Sequence, residues 1–172
     1  RSIHSVDWSP DGRLVASSGQ GDGVRLWDTT TWKESGSIRL DQTATRVCFS
    51  PDSRLVALCN NHDAWIYRAS DQIELFHLAD EDCRDVNFST DSRKLAVAQY
   101  SGRVRIFSLP GFHESRVIRS DSLLVRTRFV SDDMLLTASR AGTLTLWNPD
   151  TGDRLAVSAG TTDNFPHSIG CS

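Results

Sequence analysis

The sequence predicts an all-β protein built from repeated four-stranded antiparallel sheets. Two short patterns recur about every 40 residues, a spacing typical of repeat architectures. The apolar runs within each repeat are too short for helices, and clusters of Gly, Asp, Ser and Asn separate them. No window carries a sustained apolar stripe at helical spacing, so helical repeat arrays are poor alternatives.

The first pattern is a strand that ends on an aromatic residue followed by Ser or Val and continues into a polar turn. It occurs at residues 6–9, 47–50, 86–89 and 127–130, with turns at residues 10–12, 51–53, 90–92 and 131–133. The second pattern is an alternating apolar run at residues 24–28, 64–68, 104–108 and 144–148. Further strand-like runs lie between them at residues 14–18, 55–59, 95–99 and 135–139. Each repeat therefore has room for about four strands.

A four-stranded sheet with two apolar faces must be covered on both sides. A β-propeller does this by stacking such sheets, called blades, so that each blade buries its faces against its neighbours. We therefore interpret the apolar positions as core and not as a ligand site. The repeats are expected at approximately residues 1–40, 41–79, 80–120 and 121–160, with the start of a fifth at residues 161–172.

The two patterns resemble those of the WD40-repeat β-propeller family. The resemblance is most specific at residues 9–14 and 22–28, where the second run ends on the tryptophan–aspartate pair Trp27 and Asp28. It covers essentially the whole chain and implies a WD40-type propeller segment spanning residues 1–172. The family's Gly-His pair ahead of the first strand is absent, which puts its usual hydrogen-bond network in doubt.

Four repeats and one further strand cannot close a propeller ring, so we expect a partial, open propeller. WD40 propellers most often have about seven blades. We therefore expect about three further repeats outside this chain, and the remaining blades of the same parent chain are among its expected partners.

The resemblance also implies a hydrogen bond inside the blade. In the family, the ring nitrogen of the third-strand Trp donates to a Ser or Thr hydroxyl ten residues earlier, and a buried N–H without a partner costs about 1–3 kcal/mol. Trp27 has Ser17 at this offset, and Trp147 has Thr137. The structural residues assigned on this basis are Ser17, Trp27, Asp28, Thr137 and Trp147.

The repeats that lack this Trp also lack the hydroxyl. Tyr67 has Ala57 ten residues earlier, and Phe107 has Val97. Donor and acceptor therefore come and go together, as the pairing of buried polar groups demands.

The composition favours an interaction module over a nucleic-acid-binding protein. The formal net charge is −3 and the isoelectric point is about 5.9, whereas non-specific nucleic-acid binding depends on an excess of Lys and Arg. No apolar run reaches the ~18 residues that a membrane span needs. We expect no nucleic-acid partner and no membrane partner.

The cysteines and histidines do not form a metal or disulfide framework. Cys48, Cys59, Cys83 and Cys171 lack Cys-x-x-Cys spacing. The 5 histidines lie in different segments without the paired spacing of zinc ligands. We interpret the thiols as structural residues of a reducing compartment, with disulfides or metal ligation as the open alternative, and expect a cytoplasmic, intracellular location.

Catalytic and cofactor motifs are missing. The sequence has no Gly-x-Ser-x-Gly elbow, no phosphate-binding Gly-x-x-x-x-Gly-Lys loop, no His-Glu-x-x-His and no dinucleotide fingerprint. The glycine-rich segment 19–23 leads into a strand, whereas a phosphate site needs a helix N-terminus after it. We predict no enzyme activity, no catalytic residue, no cofactor and no metal.

Binding residues are expected on one rim of the blades. In the WD40 family, the loops that enter the first strand and those that join the second and third strands form this rim. The candidate partner-binding residues on it are Arg46, Arg84, Arg126, Arg140, His62 and Asp63. Guanidinium groups suit the carboxylate or phosphate groups of a peptide. The alternative is that each arginine pairs with the aspartate of its own loop, an exposed ion pair that contributes little.

The expected function is a non-catalytic scaffold that binds protein or peptide partners through its rim loops. The alternative is a sensor or regulatory domain of a larger signalling protein, such as a bacterial serine/threonine kinase or a nucleotide-binding signalling ATPase. That alternative depends on a basic set of 17 Arg against 2 Lys and on residues 147–152, which look bacterial. An enzyme with its active site on the propeller would need a carboxylate or His cluster on blades outside this chain.

Overall fold

The computed structural model describes residues 2–21, 23–79 and 82–158. The chain divides into two compact units, Arg1–Val86 (unit 1) and Asn87–Ser172 (unit 2). The described residues form strands and turns and contain no helix. The predicted start of a fifth repeat, at residues 161–172, lies outside the described residues.

The strands form four four-stranded antiparallel sheets, which we call blades one to four. Blade one contains β1 (Ile3–Trp8), β2 (Leu14–Gly19), β3 (Gly23–Asp28) and β4 (Glu34–Ile38). Blade two contains β5 (Arg46–Phe49), β6 (Leu55–Cys59), β7 (Asp63–Arg68) and β8 (Glu74–Ala79). Blade three contains β9 (Cys83–Phe88), β10 (Lys94–Gln99), β11 (Arg103–Ser108) and β12 (His113–Arg119). Blade four contains β13 (Leu124–Ser131), β14 (Met134–Ser139), β15 (Leu144–Trp147) and β16 (Arg154–Val157). In each blade the strands pair in chain order, so the predicted fold class of four-stranded antiparallel blades is confirmed.

In both units the core lies between two blades. In unit 1, Leu26 of blade one and Val56 of blade two belong to a single buried cluster. In unit 2, Ile106 of blade three and Leu135 of blade four do the same. Burying each such side chain contributes about 1.5–3 kcal/mol. The second and third strands of a blade supply most of this core, while the outer strands β12 and β16 are largely exposed.

A serine and an aspartate hold the turn between the first and second strands. The Ser9 hydroxyl donates to Asp11 Oδ1 at 2.7 Å, and the backbone N–H of Arg13 donates to the same oxygen at 3.0 Å. The Leu14 N–H donates to Ser9 Oγ at 2.8 Å. The same three bonds recur at residues 50–55 and 89–94. Blade four has a tighter hairpin, in which β13 continues through Ser131 and pairs with Met134.

Asp28 and Asn148 hold the turn between the third and fourth strands. Asp28 Oδ1 accepts the backbone N–H of Thr31 at 2.7 Å and that of Thr30 at 3.0 Å. Asn148 Oδ1 accepts the two equivalent backbone bonds in blade four. Because only a side-chain acceptor is needed here, the change from Asp to Asn leaves the turn intact.

The hydrogen bonds predicted from the ten-residue offset are present. Trp27 Nε1 donates to Ser17 Oγ at 2.8 Å, and Trp147 Nε1 donates to Thr137 Oγ1 at 2.9 Å. In each case the hydroxyl lies on the second strand, two positions beyond the residue that pairs with the tryptophan.

In blade two, the residue that corresponds to Ser17 is Leu58, and the assignment of Ala57 was wrong. Tyr67 pairs with Val56, as Trp27 pairs with Val15. The pairing of β6 and β7 closes with the Asn60 N–H donating to the Asp63 carbonyl, whereas that of β2 and β3 closes with Gly19 opposite Gly23, so the turn in blade two is one residue shorter. The shorter loop moves the offset by one. The Tyr67 hydroxyl is satisfied elsewhere, since it donates to Glu74 Oε2 at 2.9 Å.

Protonating the turn aspartates should destabilise the fold. The Ser9 hydroxyl, followed by the Arg13 N–H, lowers the pKa of Asp11 below its ordinary value. Burial by itself raises the pKa of Asp91, but hydrogen bonds, led by that from the Ser89 hydroxyl, lower it overall. Because both pKa values are lower in the folded chain, the stabilisation is present above the ordinary pKa of 3.8 and is lost as the pH falls through the folded values.

We therefore expect the melting temperature to fall as the pH is lowered from about 5 to about 2.5, and to fall less in a variant carrying Asp11→Asn and Asp91→Asn. Calorimetry across this range measures both slopes. Parallel slopes for the parent chain and the variant would contradict a role for these two carboxylates.

Thr137→Val should destabilise the chain, because it removes the acceptor of the Trp147 N–H. Thr137 is 1% exposed and Trp147 is 6% exposed, so we expect a loss of about 1–3 kcal/mol in urea denaturation. In the Thr137→Val background, Trp147→Phe should lower the free energy of unfolding by less than it does in the parent chain. The reason is that the resulting Val–Phe pair is the one that blade three already has in Val97 and Phe107. If the losses of unfolding free energy from the two substitutions were strictly additive in this double-mutant cycle, the coupling between Thr137 and Trp147 would be contradicted.

Candidate binding surface on the rim loops

The candidate surface lies at one edge of each sheet. In an antiparallel sheet, the segment that enters the first strand and the loop that joins the second and third strands lie at the same end. We call these segments the rim loops. Among the described residues they are 20–21, 39–45, 60–62 and 82 in unit 1, and 100–102, 120–123 and 140–143 in unit 2.

Arg46 points to the first strand of the next repeat. Its Nε lies 3.6 Å from Asp85 Oδ1, and Asp85 is only 7% exposed. The alternative in which Arg46 pairs with the aspartate of its own loop is therefore wrong. The reason is that residue 46 already belongs to β5, so its nearest carboxylate is on a neighbouring first strand.

Free thiols lie beside this ion pair. Cys59 and Cys83 are buried and Cys48 is half-buried, and none of the three forms a disulfide. Burial, reinforced by the nearby Asp85 carboxylate, raises the pKa of the Cys59 thiol well above its ordinary value. The three cysteines are packed as small hydrophobic residues, while Cys171 lies outside the described residues.

Arg84 joins two rim segments of unit 1. Its Nη1 donates to Asn61 Oδ1 at 3.0 Å, and its Nε lies 3.9 Å from Asp82 Oδ1. This arginine thus contacts the aspartate of its own loop and also the loop of blade two.

His62 and Asp63 follow a buried asparagine. Asn60 is 2% exposed, and its Oδ1 accepts the backbone N–H groups of both residues. The Asp63 carboxylate lies 3.4 Å from His77 Nε2 on the outer strand, and the His77 ring stacks on Trp65 at 5.1 Å. Asp63 and Trp65 therefore stabilise blade two, whereas the His62 side chain stays exposed on the rim.

A polar cleft of about 400 Å³ lies on the rim of unit 1. Its lining includes His4, Gln42, Thr45, Asn60, Asn61 and His62. Asn60 Nδ2 donates to Gln42 Oε1 at 3.1 Å, which ties the two loops together. The amide groups of Gln42, Asn60 and Asn61 and the Thr45 hydroxyl offer uncharged donors and acceptors, the chemistry that suits the backbone of a bound segment.

Arg140 lines a second cleft, of about 470 Å³, on the rim of unit 2. Its guanidinium donates to the Tyr100 hydroxyl. The other lining residues are Ser101, Ser120, Asp121, Ser122, Leu123 and Ala141. Leu123 is 43% exposed, so the cleft combines a cation, hydroxyls and an apolar side chain.

The predicted arginines do not act as one group. Arg46 and Arg84 lie in unit 1 and make separate contacts, as given above. In unit 2, Arg126 does not line the cleft of Arg140 and donates to the carbonyl of Val125 at 2.6 Å. Leu123 was missed by the sequence reasoning, although an apolar residue directly after the polar segment 120–122 was a usable signal.

Within the described part of the chain, His, Cys, Asp and Glu side chains do not gather into a metal-binding group. The same part of the chain contains no helix that could cross a membrane.

Comparison with known proteins identifies the repeat. A family model described as "WD domain, G-beta repeat" matches residues 1–28. The chain is 24% identical to apoptotic protease-activating factor 1 of Danio rerio over 160 residues, which cover 90% of this chain and 13% of that protein. It is 25% identical to the LST8 homolog of Drosophila melanogaster over 164 residues, which cover 87% of this chain and 52% of that protein.

Solved structures show the same fold. The β-propeller domain of Myceliophteria thermophila Cps50 (Swd1) matches with a TM-score of 0.74 at 16% identity, covering 86% of this chain and 52% of that chain. The WD40 repeats of RRP9 match with a TM-score of 0.83 at 14% identity, covering 90% of this chain and 50% of that chain. This chain thus spans about half of the structures it matches. Its blades have the fold of WD40 β-propeller blades, and its first 28 residues match the family's repeat model.

Proposed function

We propose that this chain belongs to a non-catalytic scaffold that binds a protein or peptide partner through its rim loops. The observation that carries the proposal is the cleft of unit 2, where the exposed Leu123 side chain lies beside the Arg140 guanidinium. Arginine is enriched at protein interfaces, whose buried centre is apolar and whose rim is polar. The free thiols of unit 1 support a reducing, cytoplasmic location, and the net charge of −3 disfavours a nucleic-acid partner.

The backbone of this cleft is already held in place. The Arg140 N–H donates to the Leu123 carbonyl at 2.8 Å, and the Leu124 N–H donates to the Tyr100 carbonyl at 3.3 Å. Gly102 has a φ of +96°, and a Cβ there would lie 2.9 Å from the carbonyl oxygens of residues 120 and 122. Since the loops are ordered by their own contacts, binding a partner costs little conformational entropy.

The chemistry of the cleft favours a segment that places an acidic side chain next to an apolar one. A guanidinium binds a carboxylate through two parallel hydrogen bonds, and the three lining serines add hydroxyl donors. The one carboxylate in the lining is that of Asp121, whose side chain is 93% exposed, so that solvent screens its repulsion of an acidic ligand.

A sensor or regulatory role within a larger signalling protein is the second candidate. It is favoured by the match to the zebrafish factor, in which the matched segment is only 13% of a much longer protein. In that case the same rim would bind a partner and transmit the event to other domains. The two candidates share the binding step and differ in what it controls.

Replacing Leu123 with Ser and Arg140 with Glu should abolish most peptide binding. Peptides selected from a display library on the parent chain supply the ligands, and fluorescence anisotropy measures their affinities. We expect a loss of affinity of about tenfold to a hundredfold, because one apolar anchor and one charge-assisted contact are removed.

Arg93→Glu is the matched control, because its side chain is 82% exposed in a turn at the opposite end of blade three. This variant should bind within about twofold of the parent chain, as expected of a surface change away from the site. Selected peptides that bind the double variant as tightly as the parent chain would refute the cleft as the binding site.

A further inference from the structure

The outer strand of blade three is the longest outer strand in the described part of the chain. β12 has 7 residues, whereas β4, β8 and β16 have 5, 6 and 4. It is the last strand of its sheet and pairs with β11 alone. The other edge of β12 therefore carries backbone groups to which no strand of the described residues is paired, and such an edge is open to pairing with another chain.

Two arginines face each other at the rim end of this strand. Arg103 is the first residue of β11, and it pairs directly with Arg119, the last residue of β12. Directly opposite side chains lie on the same face of a sheet, with Cβ atoms about 4.5–5.5 Å apart, and like charges in this position are destabilising. At the same position blade two pairs Asp63 with Ala79, so the fold itself does not require two cations here.

The backbone register brings the two arginine side chains close together. The Ser120 N–H donates to the Gly102 carbonyl at 2.8 Å. Because hydrogen-bonded and non-hydrogen-bonded pairs alternate along an antiparallel ladder, the next pair, Arg103 and Arg119, is non-hydrogen-bonded and has the shorter Cα separation, about 4.5 Å. In such a pair the N–H of Arg119 points away from β11, toward the free edge of β12.

The charge of this pair is not balanced by a carboxylate of the described residues. Arg105, two residues along β11 on the same face, forms an ion pair with Glu114. Neither Arg103 nor Arg119 forms such a pair within the described part of the chain. Arg103 is also half-buried, so solvent screens its charge less than that of a fully exposed side chain. Two adjacent guanidinium groups, each with five N–H donors, therefore attract an anion.

An apolar side chain lies beside the pair. Val117 is opposite Arg105, on the same face as Arg119, and it is 37% exposed. Residues 117 and 119 have the same orientation along the strand, so both backbone N–H groups point to the free edge. This surface combines two cations, an apolar side chain and two outward N–H groups.

We propose that β12 binds an extended, phosphorylated segment of a partner protein, in which Arg103 and Arg119 hold the phosphate of a phosphoserine or phosphothreonine. A phosphate monoester carries about −1.5 to −2 charges at pH 7 and three acceptor oxygens, so it balances both guanidinium groups, whereas a carboxylate balances only one. The segment pairs with the free edge of β12 and covers Val117. A nucleic acid fits less well, because each phosphodiester has a single charge and the chain has a net charge of −3.

This site is separate from the cleft of the proposed function. Neither Arg103 nor Arg119 lines that cleft, whose cation is Arg140. The two proposals therefore stand or fall separately, and a variant of each surface tells them apart.

The unbalanced charge is tested without a ligand. Arg119→Gln removes one of two like charges, so it should raise the melting temperature of the full chain by about 1–3 °C at low salt. Arg93→Gln is the matched control, because its side chain is 82% exposed at the opposite end of blade three, and it should shift the melting temperature by less than about 1 °C. If Arg119→Gln gave no rise, the charges would already be balanced and the proposal would be wrong.

Binding is measured with peptides selected on the full chain from a library that has one fixed phosphoserine. Fluorescence anisotropy at constant ionic strength gives their affinities. Replacing the phosphoserine by serine, or both Arg103 and Arg119 by glutamine, should weaken binding by about tenfold to a hundredfold, because charge-assisted contacts are lost. Arg93→Gln and the cleft variant Leu123→Ser should bind within about twofold of the parent chain.

Amide hydrogen exchange, read by NMR, tests the pairing with the strand edge. On binding, the N–H groups of Val117 and Arg119 should exchange about tenfold more slowly. Equal affinity of phosphorylated and unphosphorylated peptides, or of the parent chain and the double glutamine variant, would overturn the proposal. Failure to select any peptide, or tighter binding of single-stranded oligothymidylate, would overturn it too. A loss of binding in Leu123→Ser alone would assign the peptides to the cleft instead.

Discussion

The packing of one blade on the next is the interaction on which the rest of this structure depends. A single four-stranded sheet has an apolar side that only another sheet can cover, and in each unit the buried cluster draws on two blades. The first strands carry this contact, since Asp7 and Asn87 each accept a backbone N–H from the following first strand. The rim loops take their positions from this core, because their ends are the ends of the packed strands.

Within a blade, the polar group of the third-strand aromatic residue finds its hydrogen-bond acceptor in different ways. Trp27 donates to a serine and Trp147 to a threonine, whereas Tyr67 turns to Glu74 on the outer strand. Phe107 has no polar ring atom and makes no such demand. Trp, Tyr and Phe therefore all occupy this third-strand position, and where the ring or hydroxyl donates, an acceptor is present.

The period, the strands and the tryptophan bonds were predictable from the sequence, because each of them depends on neighbours within one repeat. The predictions for the partners of Tyr67 and Arg46 were wrong, because a fixed spacing in the sequence does not correspond there to a fixed spacing in the fold. Ala57 was assigned in place of Leu58 because a loop shorter by one residue shifts a fixed offset. The partner of Arg46 is Asp85, which lies in the next repeat, and no local pattern points to it.

The candidate site was predictable in its location but not in its composition. The rim follows from strand direction alone, and Arg140 and His62 do lie there. Which arginines face a cleft depends on contacts made after folding. Arg46 and Arg126 have equivalent places in the sequence pattern, yet the former binds a carboxylate and the latter a backbone carbonyl.

The first-strand residue that accepts the backbone N–H of the following first strand, Asp7 in blade one and Asn87 in blade three, also constrains how such an array can lengthen. Repeat proteins lengthen by copying a repeat and inserting it beside its parent. A copy of blade one would carry an acceptor to its new neighbour in Asp7, whereas a copy of blade four would bring the donor Arg128 to the same place. The repeats are therefore not interchangeable modules, because a copy of one would offer its neighbour an acceptor and a copy of another would offer a donor.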